Sequence, residues 1–232
     1  MELTANEGKR VRVDTTAGTF ARYAIKTHFV QVGENYIDLI NQYIRPIYEE
    51  GDMVSISEKV ISLCQKRIIY KKDMRLSWLA RFLSRFASHS TAGIGVDCAW
   101  KMQFAIDHCG VLRIIWASVC SAIGKLFGKR GIFYRIAGDE VRGLDGFYDS
   151  AFAEYGEFGI RLPENPTQVC NDIYEQTGVL AAVVDINDYT CDILGMADAI
   201  ACSYGQMAEI LLDNPAGQST QLTPFVLIRP QK

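Results

Sequence analysis

The chain is poor in the residues that most often carry catalysis or covalent cross-linking. It has three histidines, six prolines and no Cys-x-x-Cys pair among 232 residues. His28, His89 and His108 have no helical pairing with one another, and each reads as structural or solvated. No Ser-His-Asp or Cys-His arrangement stands out. The seven cysteines (Cys64, Cys98, Cys109, Cys120, Cys170, Cys191 and Cys202) are odd in number and widely spaced. They fit reduced thiols buried as small hydrophobes better than a disulfide framework or a zinc site. The amino-terminal stretch has no apolar core, so no signal peptide is expected. The longest apolar run, residues 114–127, follows Arg113 and is interrupted by Lys125. It is too short and too charged to span a bilayer, and a core helix is expected. These absences point to a cytoplasmic protein with no membrane partner. A formal net charge of -3 argues against a nucleic-acid partner, though it leaves room for a local basic pocket for a nucleotide.

What is present is an ordinary globular composition, 49% hydrophobic and 22% charged, long enough to bury a real core. Residues 9–32 alternate in places as strands do, with a turn at 15–18. Asn35 then caps a helix in which Ile37, Ile40, Tyr43 and Ile44 recur at helical spacing. Gly51 and Asp52 reverse the chain into a buried strand, Met53 to Ile56, ending in the polar corner Ser57, Glu58 and Lys59. Two readings of that corner stand: a cation and hydroxyl delivered to the mouth of an anion site, or the cap of a following helix.

A basic patch follows (Lys66, Arg67, Lys71, Lys72, Arg75). Trp78, Phe82 and Phe86 are interleaved at helical intervals, and they are expected to pack inward while the cations are solvated. Residues 88–100 are rich in glycine and small side chains and include Asp97, a composition suited to a phosphate loop or a hard cation, or to a simple turn. Residues 102–127 read as helix, 132–138 as strand, and 138–166 as a connector with short elements. Ala181 to Val184 form a second buried strand, with Asp185, Asn187 and Asp188 at its carboxyl end. Oxygen ligands there suit Mg²⁺ or Mn²⁺, and an Asp-Asn turn is the plainer alternative. Asp192 and Asp198 lie nearby in sequence. Residues 197–212 read as an amphipathic helix and PFVLIRP as the closing strand.

In this order the segments THFVQVGENYIDLI, GDMVSISEKVIS, AGIGVD, VVDIND, ADAIACSYGQMAEILL and FVLIR resemble the family of coenzyme F420-0:γ-glutamyl ligases. The resemblance covers most of the chain. It implies an amide ligase that joins an amino acid such as L-glutamate to an acidic acceptor through an acyl phosphate. GTP would be the co-substrate, a divalent metal would assist, and a homodimer would share its active sites. Carried over residue by residue, it gives Thr27, His28, Phe29, Val30, Glu58, Lys59, Gly217 and Gln218 as nucleotide-binding. By the resemblance Lys59 is also the catalytic cation, and Asp97 and Asp185 are metal ligands; Asp188, a carboxylate gained where the chain departs from the family, is a candidate extra ligand. Two departures stand out. Leu63 and Cys64 replace a Lys-Ala pair of the family, and Asp188-Tyr189 falls where the family has an arginine-containing turn. They keep open a non-catalytic nucleotide- or metabolite-binding homologue, and a metal-dependent amidase or hydrolase is the other alternative. The expected fold is α+β, with mixed sheets and packed helices in two intimately joined lobes of one 232-residue unit, dividing somewhere in residues 85–130.

Overall fold

The computed structural model describes residues 3–87, 95–147, 153–187, 190–217 and 221–231. The fold is α+β, a mixed sheet with packed helices, and the chain divides into two compact units. The first unit joins residues 1–67 to 163–232, and the second is the continuous stretch 68–162.

The first unit begins with a hairpin, β1 (Arg12–Thr15) and β2 (Gly18–Ile25), followed by α1 (Tyr36–Tyr43). The side chain of Asn35 accepts the Ile37 N–H at 2.8 Å, the N-cap that the sequence announces. Next come β3 (Met53–Ser57) and α2 (Glu58–Cys64), which starts without a break where the strand ends. In the second unit β4 (Ile68–Tyr70) leads through a single 3-10 turn to α3 (Trp78–Phe86), α4 (Ala99–Cys109), α5 (Val111–Leu126), α6 (Ile132–Ala137) and α7 (Asp139–Arg142), then to β5 (Asp145–Gly146) and β6 (Phe158–Ile160). The chain returns to the first unit with α8 (Pro166–Thr177), β7 (Leu180–Ile186), β8 (Cys191–Met196), α9 (Tyr204–Leu211) and β9 (Phe225–Gln231).

Six strands of the first unit form one sheet in the order β1-β2-β9-β3-β7-β8. Only β3 and β7 run parallel, and the other neighbours are antiparallel. The central strands are near-continuous apolar runs because helices cover them: Val54, Ile56, Ala181 to Val183 and Val226 to Ile228 are all fully buried. Gly195 on β8 lets α8 approach closely, since a Cβ there would lie 2.4 Å from the Thr167 backbone nitrogen. The unit also buries charge. Arg22 on β2 donates to the Ile210 and Arg10 carbonyls and pairs with Asp213 beyond α9. The chain leaves and re-enters this unit at one clamp. The Gln65 side chain donates to the Glu164 carbonyl at 2.9 Å and accepts the Glu164 N–H at 2.8 Å, and Arg67 pairs with the Glu164 carboxylate.

The second unit is mostly helical around its own core, to which Ala80, Met102, Phe104, Ile106, Ile114 and Phe133 contribute. A three-stranded antiparallel sheet, β4-β6-β5, completes it. Several expectations change here. The helical stretch breaks at Gly110, whose φ of 85° a side chain would resist. Residues 132–137 are helical, not a strand, because packing beside α5 overrides the aromatic and β-branched preference of Ile-Phe-Tyr. Trp78, Phe82 and Phe86 do not pack inward. Ala80 and Ser84 are buried and Leu79 and Leu83 join the core from the same helix, so the aromatic stripe faces out. Residues 111–126 are likewise not an all-buried helix: Ile114 and Ala117 are buried while Leu112, Trp116 and Leu126 are exposed. Among the described residues, no helix is long and apolar enough to cross a membrane.

Candidate functional site

The register of the large sheet decides which sequence-derived residues meet. Ser57 on β3 is level with Val184 on the parallel strand β7. The corner Glu58-Lys59 therefore leaves the sheet beside Asp185, which is still within β7, at the carboxyl ends of the one parallel pair. That is the edge where ligands sit in open α/β sheets. On the other flank Ile56 is level with Phe225, the first residue of β9, and the Ser57 N–H donates to the Pro224 carbonyl at 2.9 Å. One strand further, Ile25 at the end of β2 is level with Phe225. Thr27, two residues on, donates its N–H to the Leu222 carbonyl at 2.8 Å.

Thr27, Glu58, Lys59 and Asp185 thus gather along one end of four adjacent strands. Gly217 is tied to the same end. The Asn6 amide donates to the Pro215 and Ala216 carbonyls and to the Thr223 hydroxyl, and that hydroxyl donates to the Ala216 carbonyl at 2.7 Å. Gly217 has a φ of 71°, and a Cβ on it would collide with the Gln221 and Asn6 side chains.

The individual residues differ in what they offer. Thr27 is buried, and its hydroxyl donates to the His28 carbonyl at 2.7 Å. The His28 ring is engaged on both sides, Nδ1 with the Tyr43 hydroxyl at 2.6 Å and Nε2 with the Glu34 carboxylate at 2.9 Å. Phe29 is half-buried, and Val30 is part of the core. Glu58 is buried as the first residue of α2, where a carboxylate suits the positive end of a helix, while Lys59 beside it is half-exposed. Leu63 is buried on the core side of α2.

The carboxylate that sequence reasoning underused is Asp192. It is the cross-strand partner of Asp185 in the β7–β8 hairpin, so the two acids share one face at the sheet end. The hairpin is closed by the Asn187 N–H donating to the Thr190 carbonyl at 2.9 Å. Burial chiefly, with the charges of Asp192 and Asp185 adding to it, pushes the neighbouring Cys191 thiol up to about 11. Like charges directly opposite cost stability unless a cation lies between them. Two carboxylates completed by water are a donor set that Mg²⁺ and Mn²⁺ accept. Among the described residues, no three His, Cys, Asp or Glu side chains converge as a metal cage. Asp188 and Gln218 lie outside the described residues.

Asp97 belongs to the second unit, where its charge and that of Asp145 act on a buried lysine. Lys101 is 2% exposed, and its ammonium donates to the Leu144 carbonyl at 2.6 Å and the Arg142 carbonyl at 3.1 Å, above the Tyr134 ring. Burial lowers its pKa to about 8 against the opposing pull of Asp145, Cys98 and Asp97. No sequence signal distinguished Lys101 from a solvated helix lysine.

Another concave feature of the first unit is an open cleft of about 560 Å³ at the start of α8, lined by Asn165, Gln168, Asn171 and Asp198 among others. Asn171 and Asp198 bond each other reciprocally at 2.8 Å, which gives them a structural task. No family model matches the chain, and no curated protein matches it.

Proposed function

We propose that the chain is a nucleotide-dependent amide ligase of the γ-glutamyl type, joining an amino acid such as L-glutamate to an acidic acceptor through an acyl phosphate. The observation that carries this reading is the β3–β7 register, which sets Glu58 and Lys59 beside Asp185 at the carboxyl ends of two parallel strands. The resemblance of the segments to coenzyme F420-0:γ-glutamyl ligases supports it independently, and with it come GTP as co-substrate and a homodimer with shared sites. Asp185 and Asp192 are the residues suited to hold Mg²⁺ or Mn²⁺, with Asp188 as a candidate extra ligand. When bound, the ion neutralises triphosphate oxygens. Lys59 places a compact positive charge toward a phosphate, which aids a transfer dominated by positioning and electrostatics. Thr27 and Gly217 shape the nucleotide side of the edge. A fold like that of the family is part of the same proposal.

The test is thermal unfolding with GTP, ATP or no nucleotide, each with and without Mn²⁺ or Mg²⁺. Ligand binding to the native state alone raises the melting temperature, by roughly 5 °C or more at about 100 times the dissociation constant. The expected result is a shift that needs nucleotide and metal together and is lost in Asp185→Asn. Turnover of nucleotide that depends on an amino acid completes the assignment. No shift under any combination overturns it, and amide cleavage without nucleotide replaces it with a hydrolase.

A further inference from the structure

Eleven of the fifteen large apolar side chains exposed among the described residues belong to α3, α5 and the adjoining Phe127, all in the second unit. Trp78 is 75% exposed, Trp116 63%, and Leu112 and Leu126 84% each. The Lys125 ammonium of α5 reaches the Phe86 carbonyl at the end of α3 at 3.4 Å, which brings the carboxyl ends of the two helices near each other. Together these side chains present more than about 1,000 Å² of apolar surface. The largest patch of an ordinary monomer is roughly 300–600 Å², and a standard interface takes about 800 Å² from each partner.

We infer that this face is the surface through which two copies of the chain associate. The spacing along α5 is the first reason. Leu112, Trp116, Val119, Ile123 and Leu126 recur at intervals of four, three, four and three, the narrow seam by which one helix packs along another. The seam carries no charge, and the small residues Cys120 and Ala122 flank it, so a second helix can approach closely.

The second reason is what the chain itself offers as a counterpart. Outside this face, the exposed large apolar residues among the described ones are Val11, Tyr174, Tyr204 and Leu212, too few to cover it. Only the same face on another copy matches it in extent, which makes the interface isologous about a two-fold axis. A lipid surface fits less well. An interfacial helix carries a cation-rich polar face, whereas α5, which holds most of the exposed apolar side chains, has only Arg113 and Lys125, both bonded to carbonyls of the protein. The further exposed cations of the face are Arg81 and Arg85 on α3. The inference deepens the dimer of the proposed function by naming its surface, but it rests on exposed side chains and not on the ligase chemistry.

Sedimentation equilibrium of the full chain without nucleotide or metal, up to roughly 100 µM, tests it. The expected result is a dimer. Leu112→Ser with Leu126→Ser, and separately Trp116→Glu, weaken it at least about 100-fold, as truncation of central apolar residues does. Because these side chains are exposed in the single chain, circular dichroism of the variants stays that of the wild type. A wild type that is monomeric throughout overturns the inference, and so does a dimer that survives both variants. A monomer that floats with vesicles of anionic phospholipid assigns the face to a membrane surface instead. None of these outcomes depends on nucleotide binding, so the dimer and the ligase reading fail separately.

Discussion

Asp52 shows how one side chain can organise a turn and a sheet at once. It is buried, accepts the Glu49 N–H at 2.9 Å, and holds Arg229 of β9 side-on, accepting from Nε at 2.9 Å and from Nη2 at 2.7 Å. The Asp52 hydrogen bond foremost, together with its charge and that of Glu49, raises the Arg229 pKa. Asp52→Ala leaves the arginine without its main partner and the turn without its acceptor. The expected cost is about 3 kcal/mol in urea unfolding, with the denaturant slope unchanged. Lys101 makes the opposite kind of contribution. Its folded pKa, about 8, lies below the ordinary lysine value of 10.5, so between those two values the unfolded chain binds more protons. Its burial therefore costs stability below about pH 8, and stability rises with pH toward 10.5, by up to about 3 kcal/mol. Lys101→Met removes that rise, which a comparison of urea unfolding at pH 7.5 and 9.5 for both proteins reads directly.

At the scale of elements, legibility followed how local the determining physics was. The Asn35 cap, the Gly51-Asp52 reversal and the apolar runs of β3, β7 and β9 are each set by residues within a few positions, and the structure has them where the sequence places them. The helix read over residues 197–212 begins later, at Tyr204, because Ser203 and Gln206 form a reciprocal capping box that fixes its start. What sequence did not reveal is what the tertiary context decides. α3 has apolar residues on two faces, and periodicity alone cannot say that Leu79 and Leu83 take the core while Trp78 and Phe82 turn out. The same holds for the candidate site. Asp185 and the Glu58-Lys59 corner were visible as strand ends, but their adjacency needed the parallel β3–β7 pairing across more than a hundred intervening residues. Asp192 entered only once the hairpin register placed it opposite Asp185.

At the scale of the whole molecule, the second unit is inserted between α2 and α8 of the first, and both crossings pass the Gln65–Glu164 clamp. Both chain ends belong to the first unit. In mechanical terms, the insertion lies off the load path: tension applied to the two ends runs through the 137 residues of the first unit and reaches the 95 residues of the second only after the clamp and its sheet have given way. Pulling the full chain by its ends in an optical trap is therefore expected to give two ordered ruptures. The second lengthens the chain by roughly 300 Å, the contour of the inserted stretch, and never comes first.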